Sequence, residues 1–316
     1  MILNTGGRTD TVQYYSQWLL NRFKDGFVYS RNPMFPKKIT KYILTPDKID
    51  CVIFCSKNYA PILPRLHEIT DKFNTYFHYT ITAYDKDIEP NVPSIDESIN
   101  TLLKLEQIVG SKRIAWRYDP ILLTKEYTIN RHIKTFEYMA KKLSGHIDRC
   151  IFSFVEMYKK LQTNMPEIIL FSEEQKNKIA KEIGYIAKKY NIHIQTCGTN
   201  DTYEEYGIHK SGCMTLDILS KANGIRFKKI KHNGMRKGCH CIQARDIGAY
   251  NTCPNGCKYC YATKNHDNVK DIVKQHNPKS PLLIWEIKKD DIISDLNQKS
   301  LITNNKYIQQ KNLFNL

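Results

Sequence analysis

Short runs of β-branched and aromatic residues recur along the first two thirds of the chain, and longer segments with helical periodicity separate them. These runs predict β-strands at residues 1–5, 50–56, 76–84, 113–119, 149–158 and 191–197. Two helix starts carry a capping-box pattern, in which Ser94 is followed by Glu97 and Ser172 by Gln175. The first of these helices is predicted to stop at Gly110.

Strands that alternate with helices predict a parallel sheet with helical crossovers, an α/β fold closed or partly closed into a TIM-like barrel. Residues 26–44 interrupt the alternation and predict a small hairpin or extension. A last strand is predicted at residues 246–252, after a stretch of glycine- and cysteine-rich loops. The predicted divisions are a β/α barrel core (1–197), a cysteine-rich cluster-binding segment that completes the barrel (198–262) and a C-terminal extension packing on it (263–316).

Polar side chains follow the predicted strands at their carboxyl ends, where parallel α/β folds collect their chemistry. They are Arg8 and Asp10, Lys57 and Asn58, Tyr84, and Arg117 and Asp119. Asp10 precedes a helix, so a helix cap competes with a functional role. Arg117 and Asp119 are candidate catalytic residues that can meet a carboxylate and an amine or ribose hydroxyl, and an ion pair that locks a loop is the alternative.

Length and charge narrow the class of protein. The chain has 316 residues and 10 cysteines, with a formal net charge of +16. No stretch resembles a signal peptide or a membrane span, which predicts a soluble protein of the cytoplasm without a membrane partner. Clustered thiols in a reducing compartment are typical of metal or redox sites. The charge suits a nucleic-acid partner, but the lysines are dispersed along helix faces as on a solvated surface, so both interpretations stay open.

The segment "NTCPNGCKYCYA", residues 251–262, carries Cys253, Cys257 and Cys260 at the spacing C-x3-C-x2-C. A tight loop with these spacers can turn three sulfurs towards one centre. A structural zinc ion takes four protein ligands, usually from two C-x2-C units, and only Cys257 and Cys260 have that form. Three thiolates instead suit a [4Fe–4S] cluster with one iron left open to a substrate or cofactor. The spacing favours such a cluster, with zinc or uncoordinated thiols as alternatives.

The residues "CPNGCKYC" resemble the cluster loop of the radical S-adenosylmethionine superfamily, including the aromatic Tyr259 before the third cysteine. The resemblance implies that S-adenosylmethionine binds the open iron. An electron from a reducing donor then splits the sulfonium bond and starts radical chemistry on an unknown substrate. In that superfamily the loop follows the first barrel strand, whereas here it comes late in the chain. Pairing of residues 246–252 beside residues 1–5 would restore the expected place.

Matching segments along most of the chain identify it as a member of domain-of-unknown-function family 1848, which carries a radical-SAM-like cluster at its C-terminus. They are "GRTD" (7–10), "RNP" (31–33), "DCVIFCSKN" (50–58), "LPRL" (63–66), "IEPNVPS" (88–94), "WRYDPILLT" (116–124), "CIFSFVEMYKK" (150–160) and "DIGAYNTCPNGCKYCYA" (246–262). The resemblance places Gly6, Gly7, Arg8, Asp10 and Tyr259 near the cofactor. Family members usually carry a serine and a second arginine where this chain has Gly6 and Gly7.

Four more cysteines match the family: Cys197, Cys213, Cys239 and Cys241. They suit a second [4Fe–4S] cluster, a four-thiolate zinc site, or a non-metal or mixed arrangement. The remaining three, Cys51, Cys55 and Cys150, lie in apolar strand runs and are predicted to be small core residues.

Three functions follow from these observations. The leading hypothesis is a radical S-adenosylmethionine enzyme. A second keeps the cofactor but breaks another carbon–sulfur bond, giving aminocarboxypropyl transfer. A third is a nucleic-acid-binding or DNA-repair-associated iron–sulfur protein that uses the basic surface.

Overall fold

The computed structural model describes residues 1–228 and 238–303. The strands are β1 (Ile2–Asn4), β2 (Phe27–Arg31), β3 (Lys38–Ile43), β4 (Cys51–Ser56), β5 (Thr75–Thr80), β6 (Ile114–Ile121), β7 (Arg149–Phe154), β8 (Ile194–Thr196), β9 (His209–Lys210), β10 (Arg245–Asp246) and β11 (Ile292–Asp295). The helices are α1 (Thr11–Tyr14), α2 (Ser16–Asp25), α3 (His67–Thr70), α4 (Ile95–Val109), α5 (Ile129–Leu143), α6 (Lys159–Asn164), α7 (Glu173–Lys189), α8 (Leu216–Asn223) and α9 (Val269–Val273).

The main sheet has eight strands in the order β10-β1-β4-β5-β6-β7-β8-β9. Every neighbouring pair is parallel. The strand–helix alternation therefore predicted the fold class correctly, as an α/β fold with a parallel sheet flanked by helices. Each of the six strands predicted in the first two thirds of the chain is present, although β5 and β7 end earlier than their apolar runs.

The sheet is open in the part of the chain that the structure describes, because its edge strands β10 and β9 are not paired with each other. A closed TIM barrel is therefore not shown. The closing strand does lie beside β1, with Leu3 opposite Arg245 and Asn4 opposite Asp246. The prediction of a strand over residues 246–252 is wrong in length, because the Asp246 carboxylate accepts the N–H of Gly248 at 2.8 Å and turns the chain away.

The predicted hairpin at residues 26–44 is confirmed, since β2 and β3 pair antiparallel. The strand β11 extends this second sheet by pairing parallel with β3. All four residues of β11 are exposed, so it has no alternation of apolar and polar positions that could predict it. The division of the chain after residues 197 and 262 stays a prediction, and its residues 229–237 and 304–316 lie outside the described part.

Both predicted helix starts are confirmed. In α4 and in α7 the side chain of the first cap residue and that of the third helical residue exchange hydrogen bonds with the backbone. The first helix ends at Gly110, as predicted. None of the described helices is long and apolar enough to cross a membrane.

The two faces of the main sheet differ in what covers them. One face carries Phe54, Phe77, Trp116 and Phe152, which pack in the core beneath the surrounding helices. The other face carries alternate residues of the same strands. Near the amino ends of the strands it is apolar, and Leu219 of α8 packs against it.

Polar side chains occupy the same face nearer the carboxyl ends of the strands. They are Asn4, His78, Arg117, Asp119 and Ser153. The helix α8 therefore covers one end of the face, and the other end is left for a site.

Candidate metal and cofactor site

A cavity of about 830 Å³ lies over the carboxyl ends of the strands. Cysteines of both sequence sets line it, namely Cys253, Cys257, Cys260, Cys197, Cys213 and Cys239. Its volume is in the range of small-molecule sites, about 300–1,000 Å³. The topology therefore brings the two cysteine sets to one chamber.

The C-x3-C-x2-C loop is a compact turn at the wall of this cavity. Gly256 adopts a positive φ of 73°, and the N–H of Cys260 donates to the carbonyl of Cys257 at 3.0 Å. The N–H of Ala262 donates to the Cys260 sulfur at 3.4 Å. Cys257 is buried, whereas Cys253 and Cys260 are partly exposed.

Side chains near the amino terminus hold one side of this loop. The hydroxyl of Tyr15 donates to the carbonyl of Thr252 at 2.5 Å, and that of Tyr14 donates to the Asn255 side chain at 3.0 Å. The Asn255 amide in turn donates to Asp10 at 3.4 Å. The loop is therefore tied to the segment that follows β1.

Residues around α6 hold the other side of the loop. The ammonium of Lys160 donates to the carbonyl of Cys260 at 3.0 Å, and the hydroxyl of Tyr158 donates to the carbonyl of Tyr259. Because protein groups already satisfy these carbonyls, the loop backbone has a defined shape of its own.

Glu89 joins three donors below the loop. Its Oε1 atom accepts from Lys57 at 2.8 Å and from Thr82 at 2.7 Å, and it also accepts from the Tyr259 hydroxyl. Burial alone would lower the pKa of Lys57, but Glu89 and other nearby anions raise it above its usual value. The hydroxyl of Tyr259, a predicted cofactor residue, therefore donates its hydrogen bond to Glu89. Its ring packs against Tyr84, with 5.7 Å between centroids.

Burial raises the pKa of Cys253 to about 12 and that of Cys257 well above the usual value for a thiol. The positive charge of Lys57 opposes this shift at Cys257. Cysteine binds metal as a thiolate, so a bound cation would supply the compensating charge that this pocket needs. The three thiols are thus a fitting donor set for a cationic centre.

The glycines after β1 are required by close backbone contacts. A Cβ atom on Gly6 would lie 2.0 Å from the carbonyl oxygen of Cys55, and one on Gly7 would lie 2.4 Å from the Asp246 carboxylate. The N–H of Gly7 donates to Asp246 at 2.7 Å. These glycines bring β1, β4 and β10 together at the cavity wall, where both residues lie.

Arg8 and Asp10, the other predicted cofactor residues of this segment, also line the cavity. Arg8 lies 4.0 Å from Asp246 in a long ion pair. Asp10 is buried and accepts the N–H of Gln13 at 2.9 Å, which caps α1, and the hydroxyl of Ser56 at 2.7 Å. The capping role is present, and the cofactor-binding role of both residues stays a prediction.

Arg117 and Asp119 form an ion pair within β6, which continues to Ile121, and the hydroxyl of Ser153 donates to the same carboxylate. Burial alone would raise the pKa of Asp119, but Arg117 and Ser153 lower it below its usual value. Arg117 also donates to the sulfur of Cys213 at 3.7 Å. The ion pair expected as the structural alternative is therefore present, and a catalytic role stays a prediction.

Three cysteines of the second set lie much closer together, and we call Cys197, Cys213 and Cys241 the thiol triad. Their sulfurs all lie within 4.8 Å of one another. The Cys241 sulfur is 3.3 Å from that of Cys213 and 3.6 Å from that of Cys197. The loop thiols do not form such a group among the described residues, and Cys239 lies on the cavity wall outside the triad. The triad can hold a metal ion or a cluster.

Sequence reasoning missed part of this site. Glu89 lies in a segment that matches the family, and its pairing with Lys57 has no local signal, because Glu89 is one of three acidic residues between positions 85 and 89. Cys51 and Cys150 are buried as predicted. Cys55 is instead partly exposed at the cavity wall, where its sulfur lies 3.6 Å from His78 Nδ1.

Fold and site together define an α/β protein whose open parallel sheet carries two sets of cysteines around one cavity at its carboxyl edge. The family model described as "Domain of unknown function (DUF1848)" matches residues 2–262, and the chain belongs to this family. Comparisons with curated proteins and with solved structures gave no significant match.

Proposed function

We propose that the chain is a radical S-adenosylmethionine-like enzyme that binds a [4Fe–4S] cluster through Cys253, Cys257 and Cys260. One observation carries the proposal: a three-thiolate loop follows a strand that pairs beside β1, and it opens on a cavity of about 830 Å³. A fold alone would not support this function, whereas a donor set at the carboxyl edge of a parallel sheet does.

When bound, such a cluster with S-adenosylmethionine supplies a reductively formed 5′-deoxyadenosyl radical, with electrons from a reducing donor. The chain's own residues hold the three thiolates in a loop that is fixed from two sides. The ammonium of Lys57 favours the thiolate of Cys257 through its positive charge. The buried Glu89 holds Lys57 and Tyr259 in place.

The substrate would occupy the same cavity as the cofactor. Arg8 and Arg117 line it and offer guanidinium groups for a carboxylate or phosphate, and Asp119 offers an acceptor. We further propose that the open sheet acts as a partial TIM-like barrel, with the cluster loop placed beside β1 as in the superfamily that it resembles.

The test is reductive cleavage of the cofactor. Protein reconstituted anaerobically with iron and sulfide, then given S-adenosylmethionine and dithionite, is expected to form 5′-deoxyadenosine. Cys257→Ala removes a cluster ligand and is expected to abolish this product. Cys150→Ala is the matched control, because Cys150 is an equally buried thiol on the other face of the sheet.

Two results would overturn the proposal. One is a protein with a complete iron–sulfur cluster that leaves S-adenosylmethionine intact. The other is a Cys257→Ala variant that still forms the product at the wild-type rate.

A further inference from the structure

We propose that the thiol triad binds one tetrahedral metal ion of the zinc type rather than a second [4Fe–4S] cluster. Tetrahedral zinc–thiolate bonds of about 2.3 Å place neighbouring sulfurs about 3.8 Å apart. Cys241 lies 3.3 Å from Cys213 and 3.6 Å from Cys197, measured between sulfurs. A cubane cluster spreads its thiolates over separate irons and needs wider spacing. The triad is therefore already spaced for a single ion.

The triad joins the two edges of the open sheet. Cys197 directly follows β8, Cys213 follows β9, and Cys241 precedes β10. Strands β9 and β10 are the opposite edges of the sheet. An ion held by the triad would thus link the edges at a place where no strand pairing links them among the described residues.

Backbone contacts bring these segments together beside the triad. The N–H of Ile242 donates to the carbonyl of Met214 at 2.7 Å. Gly212 approaches the other segment so closely that a Cβ atom on it would lie 2.5 Å from the carbonyl oxygen of His240. The protein thus holds the ligand-bearing segments in contact, which lowers the entropic cost of assembling the ion site.

The surroundings of the triad suit bound thiolates. Cys213 and Cys241 are buried, and the N–H of Cys213 donates to the Cys197 sulfur at 3.4 Å. Three thiolates around a divalent ion leave one net negative charge, and the Arg117 guanidinium lies 3.7 Å from Cys213 Sγ. Hydrogen bonds and charges of this kind orient metal ligands and tune their basicity.

Among the described residues the triad supplies three ligands, which leaves a fourth position on a tetrahedral ion. Cys197 and Cys213 line the cavity, so this position is accessible from the chamber that also holds the C-x3-C-x2-C loop. Zinc sites with three protein ligands and one open position are typical of catalytic rather than structural centres. Such a position would accept a thiol, a carboxylate or water.

The test uses the full chain with the three loop cysteines Cys253, Cys257 and Cys260 replaced by alanine, so that only the second site can hold metal. After anaerobic purification this variant is expected to retain about one zinc per chain and no acid-labile sulfide. Adding Cys213→Ala is expected to lower the bound zinc at least about tenfold. Adding Cys51→Ala, a buried thiol on the same face of the sheet, is expected to leave zinc unchanged.

Further variants separate ligand loss from misfolding and define the fourth position. Cys213→His keeps a zinc ligand at this position, so this variant is expected to retain the ion. When Co²⁺ replaces the zinc, the absorption spectrum of the tetrahedral Co²⁺ in this variant should differ from the spectrum in the protein that keeps Cys213. Cys239→Ala is expected to keep the ion, because Cys239 lies outside the triad. Loss of zinc from Cys239→Ala as complete as from Cys213→Ala would overturn the three-thiolate arrangement.

An equal amount of iron and acid-labile sulfide in the protein that lacks the three loop cysteines would overturn the proposal in favour of an auxiliary cluster. Iron without sulfide, or protein that is folded by circular dichroism yet metal-free, would overturn it as well. The inference does not depend on the proposed radical chemistry. Failure of that chemistry appears as intact S-adenosylmethionine with the zinc still bound.

Discussion

The C-x3-C-x2-C loop and the thiol triad present the same donor atom in opposite ways. The loop thiols are neighbours in sequence, yet their three sulfurs do not all lie within 4.8 Å of one another. The triad thiols span residues 197 to 241, yet the Cys241 sulfur lies 3.3 Å from that of Cys213 and 3.6 Å from that of Cys197. Closeness in sequence therefore says little about the spacing of ligand atoms, which decides whether one ion or a cluster fits.

The two sites also differ in what holds them without metal. The loop receives hydrogen bonds from Tyr15, Tyr158 and Lys160, so its shape depends on side chains around it. The triad joins segments that come from opposite sheet edges. A link between segments far apart in the chain removes more freedom from the unfolded state than a local link. Metal at the triad should therefore contribute more to stability than metal at the loop.

The largest expected effect tests this difference directly. At zinc concentrations about 1,000-fold above the dissociation constant, an ion that binds only the folded state adds about 4 kcal/mol to the free energy of unfolding. Cys213→Ala is expected to lose about this amount, whereas Cys257→Ala is expected to lose about 1 kcal/mol. Anaerobic urea unfolding at fixed zinc concentration, on protein reconstituted with iron and sulfide, measures both values. Equal losses for the two variants would remove the structural distinction between the sites.

The next effect concerns the ion pair beneath the loop. Lys57 and Glu89 lie 2.8 Å apart, with side chains 12% and 3% exposed. Removing one partner of a buried pair leaves the other charge uncompensated, so Lys57→Met and Glu89→Gln are each expected to cost about 3 kcal/mol. The double variant should cost less than the sum by at least about 1 kcal/mol. Denaturant unfolding of the four proteins gives this coupling.

The matched control is the surface pair of Lys274 and Asp271, which has the same 2.8 Å separation but side chains that are both 76% exposed. Solvent screens such a pair, so the same cycle there should show no measurable coupling. Comparable coupling at both pairs would mean that burial is not what makes the Lys57–Glu89 pair important to the loop.

Local patterns predicted the parts of the molecule that local chemistry determines. Short β-branched and aromatic runs predicted β4 and β6, and capping boxes predicted the starts of α4 and α7. The spacing of Cys253, Cys257 and Cys260 predicted a tight loop, and these residues form a compact turn. In each case the residues that make the structure are within a few positions of one another.

Features that depend on distant contacts escaped the same reasoning. The strand β10 is only two residues long because the Asp246 side chain binds the backbone of Gly7 and Gly248. Glu89 reaches Tyr259 across 170 positions of sequence, and no periodicity indicates such a contact. The tight geometry of the triad likewise depends on how the sheet edges meet.

Acid sensitivity of the scaffold must be known before metal loss at either site can be interpreted, since protons also compete for thiolates. Burial lowers the pKa of His132 to about 4, and its ring contacts the Tyr118 hydroxyl at 2.8 Å and the Leu122 carbonyl at 2.8 Å. The unfolded chain binds this proton below about pH 6.5 while the folded chain does not. Stability should therefore fall with decreasing pH, by about 2 kcal/mol at pH 5.

The measurement is urea unfolding of metal-free protein from pH 7.5 to pH 5. His132→Gln is expected to be less stable at pH 7.5, because it leaves buried partners unsatisfied, and to show a shallower pH dependence. If the variant kept the full acid dependence of the wild type, other groups would account for it.

The smallest expected effect tests whether the C-x3-C-x2-C loop is held by several hydrogen bonds or mainly by one. The Tyr158 hydroxyl donates to the Tyr259 carbonyl, and Tyr158→Phe removes this bond at a cost of about 1 kcal/mol. Iron bound at the loop should then pass to a chelator faster than in the wild type, while zinc at the triad should be unaffected. Tyr185→Phe, which alters a tyrosine 67% exposed on α7, should change neither rate. An unchanged iron release rate in Tyr158→Phe would mean that Tyr14 and Tyr15, which hold the loop from the opposite side, suffice to fix it.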